Sequence, residues 1–254
     1  MNILTAARNL TRRKARERER LFVAEGVRTV EELLRSALVV RGVLTSPALD
    51  ENDRGRALRD RIAADGIPVA DVTERDFASA ADTDSPQGIL AIAEVPSRQL
   101  DDLAAIPAPT RLLILDGVQD PGNTGSMIRT SAALGANATV ALSGTVDVWS
   151  AKVVRSAMGA HFHFPAFHAT WPALEAFLAR TETRLWIADV DGDPVTTLDG
   201  VPARLAVAVG NEGHGVSRDL RVAADRAVGL PIAPDIDSLN VAVAAGILLF
   251  ALRP

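Results

Sequence analysis

The chain has 254 residues, is 48% hydrophobic and carries a net charge of −5, which argues against a protein that coats nucleic acid non-specifically. It contains no cysteine, so disulfides, thiolate metal sites and a cysteine nucleophile are excluded. We expect a soluble, cytoplasmic protein without a bound metal. The N-terminus lacks a secretion signal, and the longest apolar run, VAVAAGILLFAL, is too short to span a bilayer.

Near the N-terminus, residues 8–20 form a basic run, RNLTRRKARERER. One interpretation is a local patch that contacts nucleic-acid phosphates while the rest of the surface stays acidic. The other is a solvated helix face on which glutamates and arginines pair. The run alone does not decide between them. The candidate phosphate-binding side chains are Arg8, Arg12, Arg13, Lys14 and Arg16.

Residues 1–96 have the pattern of a compact α/β domain. The predicted elements are, in order, a helix at VRTVEELLRSA, a strand and turn at VVRGVLTSP, a helix at NDRGRALRDRIAADG, and strands at IPVADV and QGILAIAEV. The segment after them, PSRQLDDLAAIPAPT, has three prolines and no sustained strand pattern. It predicts a linker over residues 97–110.

From residue 111 to residue 254, strands and helices alternate. Strands are predicted at RLLILDGV, ATVALSG, HFHFPAF, RLWIADV, RLAVAVG and AVGLPI. Helices are predicted at 123–134, 150–158, WPALEAFLART, just after residue 217, and 238–252. Because the strands are apolar nearly throughout, we expect a mostly parallel sheet covered on both faces. Such sheets bind ligands at the carboxyl ends of their strands.

The first polar segment at such a strand end is QDPGNTGSMIR. It lacks both the Gly-x-Gly-x-x-Gly pattern of a dinucleotide site and the lysine of a P-loop. It does contain Asn123, Gly125 and Arg129. In the first turns of a helix, the Arg129 guanidinium can meet an anionic or hydroxyl-bearing substrate.

Two further segments lie at strand ends. In GNEGHG, residues 210–215, the glycines permit a tight loop near a ligand, and Glu212 is the only acid. Taken alone, this segment fits an ordinary turn in which Glu212 pairs with a nearby arginine and His214 is exposed. In the third segment, LPIAPDIDSLN, Ser238 or Asp237 is predicted to cap the last helix, with Asn240 in its first turn.

The order of the three segments resembles the motifs of the SpoU (TrmH-like) family of RNA ribose methyltransferases. The matching stretches are Asn-x-Gly-x-x-x-Arg at 123–129, Gly-Asn-Glu-Gly at 210–213 and Ser-Leu-Asn-Val at 238–241. FVAEGVRTVEELL and SPQGILAI in the first domain resemble an L30e-like RNA substrate-binding domain. The resemblance implies an α/β fold whose C-terminal domain is tied into a deep trefoil knot. Knots are rare, so this feature rests on the resemblance alone.

The resemblance also implies roles for individual residues. Catalytic roles fall on Arg129, Asn123, Glu212, Ser238 and Asn240. The S-adenosylmethionine pocket falls on Gly210, Leu230, Ile232 and Leu239. Arg129 matches the arginine that activates the ribose 2′-hydroxyl, either as a base or by orienting it, and these alternatives stay open. One departure is Ala242, where the family often has serine.

Family members pair through the C-terminal domain, which implies a homodimer. The helix predicted over 238–252 is apolar almost all round, which fits either a dimer surface or a helix buried within one chain.

For the substrate, the L30e-like domain favours 23S ribosomal RNA over transfer RNA. A catalytically silent RNA-binding protein that acts in ribosome assembly is the alternative from another class. A nicotinamide enzyme is disfavoured because its glycine pattern is missing.

Overall fold

The computed structural model describes residues 2–233 and 235–253. The chain forms two compact units. Residues up to Ser97, together with Trp149–His163, form the first unit, and Arg98–Val148, together with the chain from Phe164 onward, form the second. Within the described ranges, no helix is long and apolar enough to cross a membrane.

The elements follow one another along the chain with short connections. The α-helices are α1 (Ile3–Leu10), α2 (Arg13–Glu19), α3 (Val27–Leu33), α4 (Asp53–Ala64), α5 (Glu74–Ala78), α6 (Leu100–Ala104), α7 (Pro121–Ala133), α8 (Ala151–Ser156), α9 (Trp171–Arg180), α10 (Arg218–Ala223) and α11 (Val241–Ala251). The strands are β1 (Leu21–Glu25), β2 (Val40–Thr45), β3 (Val69–Asp71), β4 (Ile89–Glu94), β5 (Thr110–Asp116), β6 (Ala138–Ala141), β7 (Ala166–His168), β8 (Arg184–Pro194), β9 (Arg204–Gly210) and β10 (Arg226–Gly229).

The first unit is built on a four-stranded sheet in the order β1-β4-β2-β3. Strand β4 is antiparallel to both β1 and β2, and β3 is parallel to β2. Helix α1 packs its apolar side, with Ala7 and Leu10, into the core of this unit. The basic run, residues 8–20, covers the last residues of α1 and all of α2.

Residues Trp149–His163 follow β6 in sequence but pack within the first unit. The Trp149 ring lies 4.6 Å from the Phe22 ring, centroid to centroid. The prediction of a strand over HFHFPAF was wrong at its start, because Ala160–Phe162 forms a short 3-10 helix. His161 and Phe162 are buried there, and the strand begins only at Ala166.

The second unit is built on a six-stranded sheet in the order β10-β8-β9-β5-β6-β7. Every neighbouring pair in it is parallel. This confirms the predicted α/β fold with a mostly parallel sheet. The trefoil knot and the domain boundaries at residues 96 and 111 stay predictions.

Both faces of the second sheet are covered, as the apolar strands predicted. In β9, Leu205 and Val207 face a core that includes Leu248 of α11. The alternate residues Ala206 and Ala208 face a second core, to which α6 and α9 contribute. Part of the predicted linker thus forms helix α6, with its leucines buried in the second unit.

The order in which successive strands are added to this sheet reverses beside β5. From β5 it proceeds to β6 and β7 on one side, whereas β8, β9 and β10 lie on the other. Strands β5 and β9 are neighbours, and their last residues, Asp116 and Gly210, are paired. A crevice at such a switch point is where parallel α/β sheets bind ligands.

Candidate active site

Two loops are tied together at the carboxyl ends of β5 and β9. The backbone N–H of Ser217 donates to the Asp116 carboxylate at 2.6 Å. The Asn211 side-chain amide donates to the carbonyl of Gly117 at 3.0 Å. The segment that follows β5 and the segment that follows β9 therefore form one continuous surface.

Gly210 is required by the fold of the second loop. A Cβ at this position would lie 2.0 Å from the carbonyl carbon of Gly215, so no side chain fits. Asn211 and Gly215 exchange two backbone hydrogen bonds, at 3.0 and 2.8 Å, across the turn between them. This close approach leaves Glu212 exposed at the tip of the turn.

Three of the predicted catalytic side chains form a chain of hydrogen bonds. Asn240 Nδ2 donates to Asn123 Oδ1 at 3.0 Å. Asn123 Nδ2 in turn donates to Glu212 Oε1 at 3.0 Å. The three segments singled out in the sequence thus meet through one side chain each. Glu212 pairs with Asn123 and, among the described residues, forms no ion pair with an arginine.

The direction of this chain is set by the start of α11. Asn240 Oδ1 accepts the backbone N–H groups of Ala242 and Val243, at 2.9 and 3.3 Å. Because its oxygen is occupied by these two donors, Asn240 can offer only its NH₂ group to Asn123. Asn123 must then turn its own NH₂ group toward Glu212, which acts as the terminal acceptor.

The predicted cap of the last helix was wrong. Asn240 itself caps α11, which begins at Val241, whereas Ser238 and Asp237 precede the helix in a segment without regular secondary structure. Asparagine is among the best N-cap residues because its side-chain oxygen satisfies N–H groups left free in the first turn. One residue thus both starts the helix and reaches the site.

At its other end, α11 is held by a buried arginine. Arg111, at the start of β5, donates through Nε to the carbonyl of Leu252 at 2.5 Å and through Nη1 to Thr110 and Ala203 carbonyls at 2.8 and 3.1 Å. Burial lowers the pKa of Arg111. Carbonyl groups at a helix C-terminus favour a cation, which helps to offset that burial.

Helix α7 presents Asn123 from its first turn. The Asp120 carboxylate caps the helix by accepting the N–H of Asn123 at 2.6 Å, and Pro121 occupies a first-turn position that suits its missing N–H. Arg129 lies further along the same helix and is exposed. Among the described residues, Arg129 has no hydrogen-bond or ion-pair partner.

A cavity of about 510 Å³ opens beside this hydrogen-bonded chain. All four predicted cofactor-binding residues line it, and so do three of the predicted catalytic residues. They are Gly210, Leu230, Ile232 and Leu239, with Glu212, Ser238 and Asn240. Asn123 and Arg129 are not among the described residues that line it. No cluster of metal-ligating side chains occurs in the part of the chain that the structure describes.

Two charged side chains in the cavity wall, Asp189 and Arg221, lie outside the three sequence segments that predicted the site. Arg221 forms an ion pair with Asp189 and donates through Nε to the carbonyl of Val216 at 3.1 Å. Burial alone would raise the pKa of Asp189, but the N–H of Asp191 and the Arg221 guanidinium together lower it. Asp189 follows the part of β8 that pairs with β9, which ends at Ile187, and this position could have identified it.

The basic run contains both exposed and buried side chains. Arg8, Arg12, Arg13 and Lys14 are exposed. Arg16 is only 7% exposed and donates through Nη1 to the carbonyls of Leu10 and Thr11, at 2.6 and 2.9 Å. Arg16 therefore holds the end of α1, and we remove it from the candidate RNA-binding residues.

Comparisons with known proteins extend over both units. Residues 110–250 match the SpoU rRNA Methylase family, and residues 2–91 match the MRM3-like substrate binding domain. A protein of Bacillus subtilis named 23S rRNA (guanosine(2553)-2′-O)-methyltransferase RlmP is 34% identical over 250 residues, which cover 97% of this chain and 94% of that protein. A Salmonella typhi protein named 23S rRNA (guanosine-2′-O-)-methyltransferase RlmB is 36% identical over 176 residues, covering 65% and 70% of the two chains.

Solved structures resemble the whole chain. An rRNA methyltransferase from Sinorhizobium meliloti, described as bound to AdoMet, superposes with a TM-score of 0.84 at 29% identity and covers 99% of this chain and 94% of its own. The SpoU methyltransferase AviRb from Streptomyces viridochromogenes, in complex with the cofactor AdoMet, has a TM-score of 0.85 at 25% identity, with coverages of 99% and 97%. The chain therefore belongs to the SpoU rRNA Methylase family.

Proposed function

We propose that the protein methylates a ribose 2′-hydroxyl in 23S ribosomal RNA, with S-adenosylmethionine as the methyl donor. Membership of the family makes it an S-adenosylmethionine-dependent RNA ribose methyltransferase, and the target RNA is the part that is inferred. The observation that carries the proposal is the chain from Asn240 through Asn123 to Glu212 beside a ligand-sized cavity. The relatives named as 23S rRNA methyltransferases support this target.

The cavity suits S-adenosylmethionine in size and in lining. Its volume of about 510 Å³ falls within the range of roughly 300–1,000 Å³ typical of small-molecule sites. Leu230, Ile232 and Leu239 supply an apolar surface for flat or aliphatic groups, while Asp189 and Arg221 supply charged ones. When bound, the cofactor supplies an electrophilic methyl group on a sulfonium.

The side chains around the cavity orient the acceptor hydroxyl. A ribose hydroxyl is a weak nucleophile, so its reaction depends on being held in line and on losing its proton. Asn123, which is itself held by Asn240, fixes Glu212 by donating to Oε1, and Oε2 of Glu212 accepts no hydrogen bond from the described residues. That oxygen is free to accept one from substrate. We assign Arg129 to the hydroxyl and its neighbouring phosphate.

We also propose that the protein acts as a homodimer through its second unit. Val243, Ile247 and Phe250 form an exposed apolar stripe along α11, with 51%, 43% and 52% of their surfaces exposed. Stripes of this kind are typical of interaction sites. Pairing there would also account for the position of Arg129, which lies on α7 and does not line the cavity of its own chain. Leu249 is buried, so it does not belong to the stripe.

For RNA binding, we propose that the exposed cations of the basic run contact phosphates. The side chains that Arg12 and Arg13 contact within the protein bind them only weakly, so an RNA phosphate can replace them. Arg13 pairs with Glu17 at 2.7 Å on the exposed surface, and within the described ranges the Arg12 guanidinium donates to Asn9 alone. Exposed ion pairs of this kind stabilise a protein by about 1 kcal/mol or less, so an RNA phosphate can replace the carboxylate. An RNA target is also consistent with a location in the cytoplasm.

The test of the proposed function is methyl transfer from tritium-labelled S-adenosylmethionine. Purified 23S rRNA and transfer RNA, both from a strain lacking the gene, are offered separately, and we expect incorporation into 23S rRNA. Incorporation into transfer RNA alone would replace the proposed target. No incorporation into either, with intact RNA binding, would favour the silent ribosome-assembly protein.

A further inference from the structure

The turn between β5 and α7 is held at a single residue by two side chains from distant parts of the second unit. Gly117 adopts a φ of +72°, in the left-handed region. Its N–H donates to Thr145 Oγ1 at 3.1 Å, and its carbonyl accepts the Asn211 amide at 3.0 Å. Three residues later, Asp120 caps α7 and fixes the N–H of Asn123.

Thr145 lies in the loop after β6 and is only 2% exposed. Its hydroxyl accepts from Gly117 and donates to the carbonyl of Leu115 at 2.9 Å, so one side chain spans the point where the chain leaves β5. The next residue strengthens the same contact, because the N–H of Val146 donates to the carbonyl of Val118 at 2.9 Å. A buried hydroxyl with both its donor and its acceptor in use is a rigid connection.

Asn211 holds Gly117 from the side of β9. While its NH₂ group donates to the Gly117 carbonyl, its Oδ1 accepts the N–H groups of Gly213 and His214, at 2.9 and 3.3 Å. This side chain therefore organises the turn that carries Glu212 and links that turn to the start of α7. Through these hydrogen bonds, Asn211 fixes the distance between Asn123 and Glu212.

We propose that Thr145 and Asn211 are positioning residues for methyl transfer. They hold the two sides of Gly117, and so they keep Asn123 within hydrogen-bond reach of Glu212. The inference rests on the proposed function, because it concerns the same site. Thr145 acts through the turn and not on substrate, since its side chain is buried and is absent from the described lining of the cavity.

This arrangement separates turnover from cofactor binding. The cavity is lined by residues of β8, β9 and β10, by the segments after β9 and β10 and by α11. Asn211 is part of this lining, whereas Thr145 holds Gly117 from outside it. Loss of the Thr145 hydrogen bonds should displace Asn123 while Asn211 keeps its contacts in the cavity wall. Small misplacements of orienting groups lower enzymatic rates by as much as about a hundredfold.

The experiment measures kcat, the KM for 23S rRNA and the affinity for S-adenosylmethionine in three variants. Thr145→Val keeps the shape and removes both hydrogen bonds, and we expect kcat to fall at least about tenfold with cofactor affinity unchanged. Thr145→Ser restores the hydroxyl and should recover most of kcat. Thr139→Val is the matched control, because Thr139 is a buried threonine of β6 whose Oγ1 has no hydrogen-bond partner among the described residues.

A wild-type kcat in folded Thr145→Val overturns the inference, and so does a Thr145→Ser protein that stays as slow as Thr145→Val. If Thr145→Val does not fold, Asn211→Asp decides. That change keeps the acceptor for Gly213 and replaces the donor to Gly117 by a charged oxygen, so unchanged turnover would again refute the inference. Absence of methyl transfer by the wild-type protein would instead refute the proposed function.

Discussion

The substitution Asn240→Asp separates the two roles of Asn240. An aspartate retains an oxygen for the N–H groups of Ala242 and Val243, but it replaces the NH₂ group that donates to Asn123 at 3.0 Å. Two oxygens then face each other. A flip of the Asn123 amide would satisfy the aspartate but would turn the Asn123 oxygen toward Glu212. The unfavourable contact between two oxygens would then lie between Asn123 and Glu212.

The magnitude follows from one lost hydrogen bond at an exposed site. A net loss of about 1 to 2 kcal/mol in the orientation of Glu212 corresponds to a fall of roughly five- to thirtyfold in kcat. Helix stability should hardly change, because aspartate caps as well as asparagine and its charge favours the helix N-terminus. Asn240→Ala should lose the same activity and, in addition, about 1 kcal/mol of unfolding free energy.

Tritium transfer to 23S rRNA and thermal unfolding of the three proteins provide the comparison. Wild-type turnover in Asn240→Asp would refute a functional role for the hydrogen-bonded chain. Equal destabilisation by aspartate and alanine would refute the assignment of Asn240 as the helix cap.

Three other predictions concern the rest of the protein. Arg129→Ala should abolish methyl transfer while calorimetry still detects S-adenosylmethionine binding, and lost cofactor affinity in the folded variant would contradict its assignment to the substrate side. Ile247→Asp should give a monomer by sedimentation equilibrium with little activity, whereas Val222→Asp, at an 80% exposed valine outside the stripe, should stay dimeric. A dimeric Ile247→Asp protein would move the interface elsewhere. Glutamine at three exposed cations of the basic run should weaken RNA binding and flatten its salt dependence. An unchanged salt dependence would favour the other interpretation, in which the run is a solvated helix face. These are Arg12, Arg13 and Lys14.

The location of the site could be predicted because it depends on local patterns. Strand β9 was predicted over RLAVAVG and is observed at Arg204–Gly210, since an apolar run that ends in glycine is a strong strand signal. Parallel strands then bring their carboxyl ends to one edge. The order of the polar segments identified the family and so indicated that their residues meet.

Other features depend on contacts between residues far apart in sequence. Spacing alone could not reveal that the burial of Arg16 satisfies carbonyls at the end of α1. Nor could it reveal that Asn240 caps a helix beginning at Val241, three residues after the predicted start at residue 238. Thr145 carried no signal, because a lone threonine after a strand has many uses and its partner Gly117 lies 28 residues away. Such roles are set by tertiary packing, which overrides local propensity.

The chemical identity of the product tests the proposed ribose methylation most directly. After incubation with the protein and S-adenosylmethionine, 23S rRNA is digested to nucleosides and analysed by mass spectrometry, with the Asn240→Asp protein in parallel. We expect a 2′-O-methylated nucleoside from the wild-type reaction and much less of it from the variant. A methyl group on a base, or equal 2′-O-methylation by both proteins, would contradict this expectation.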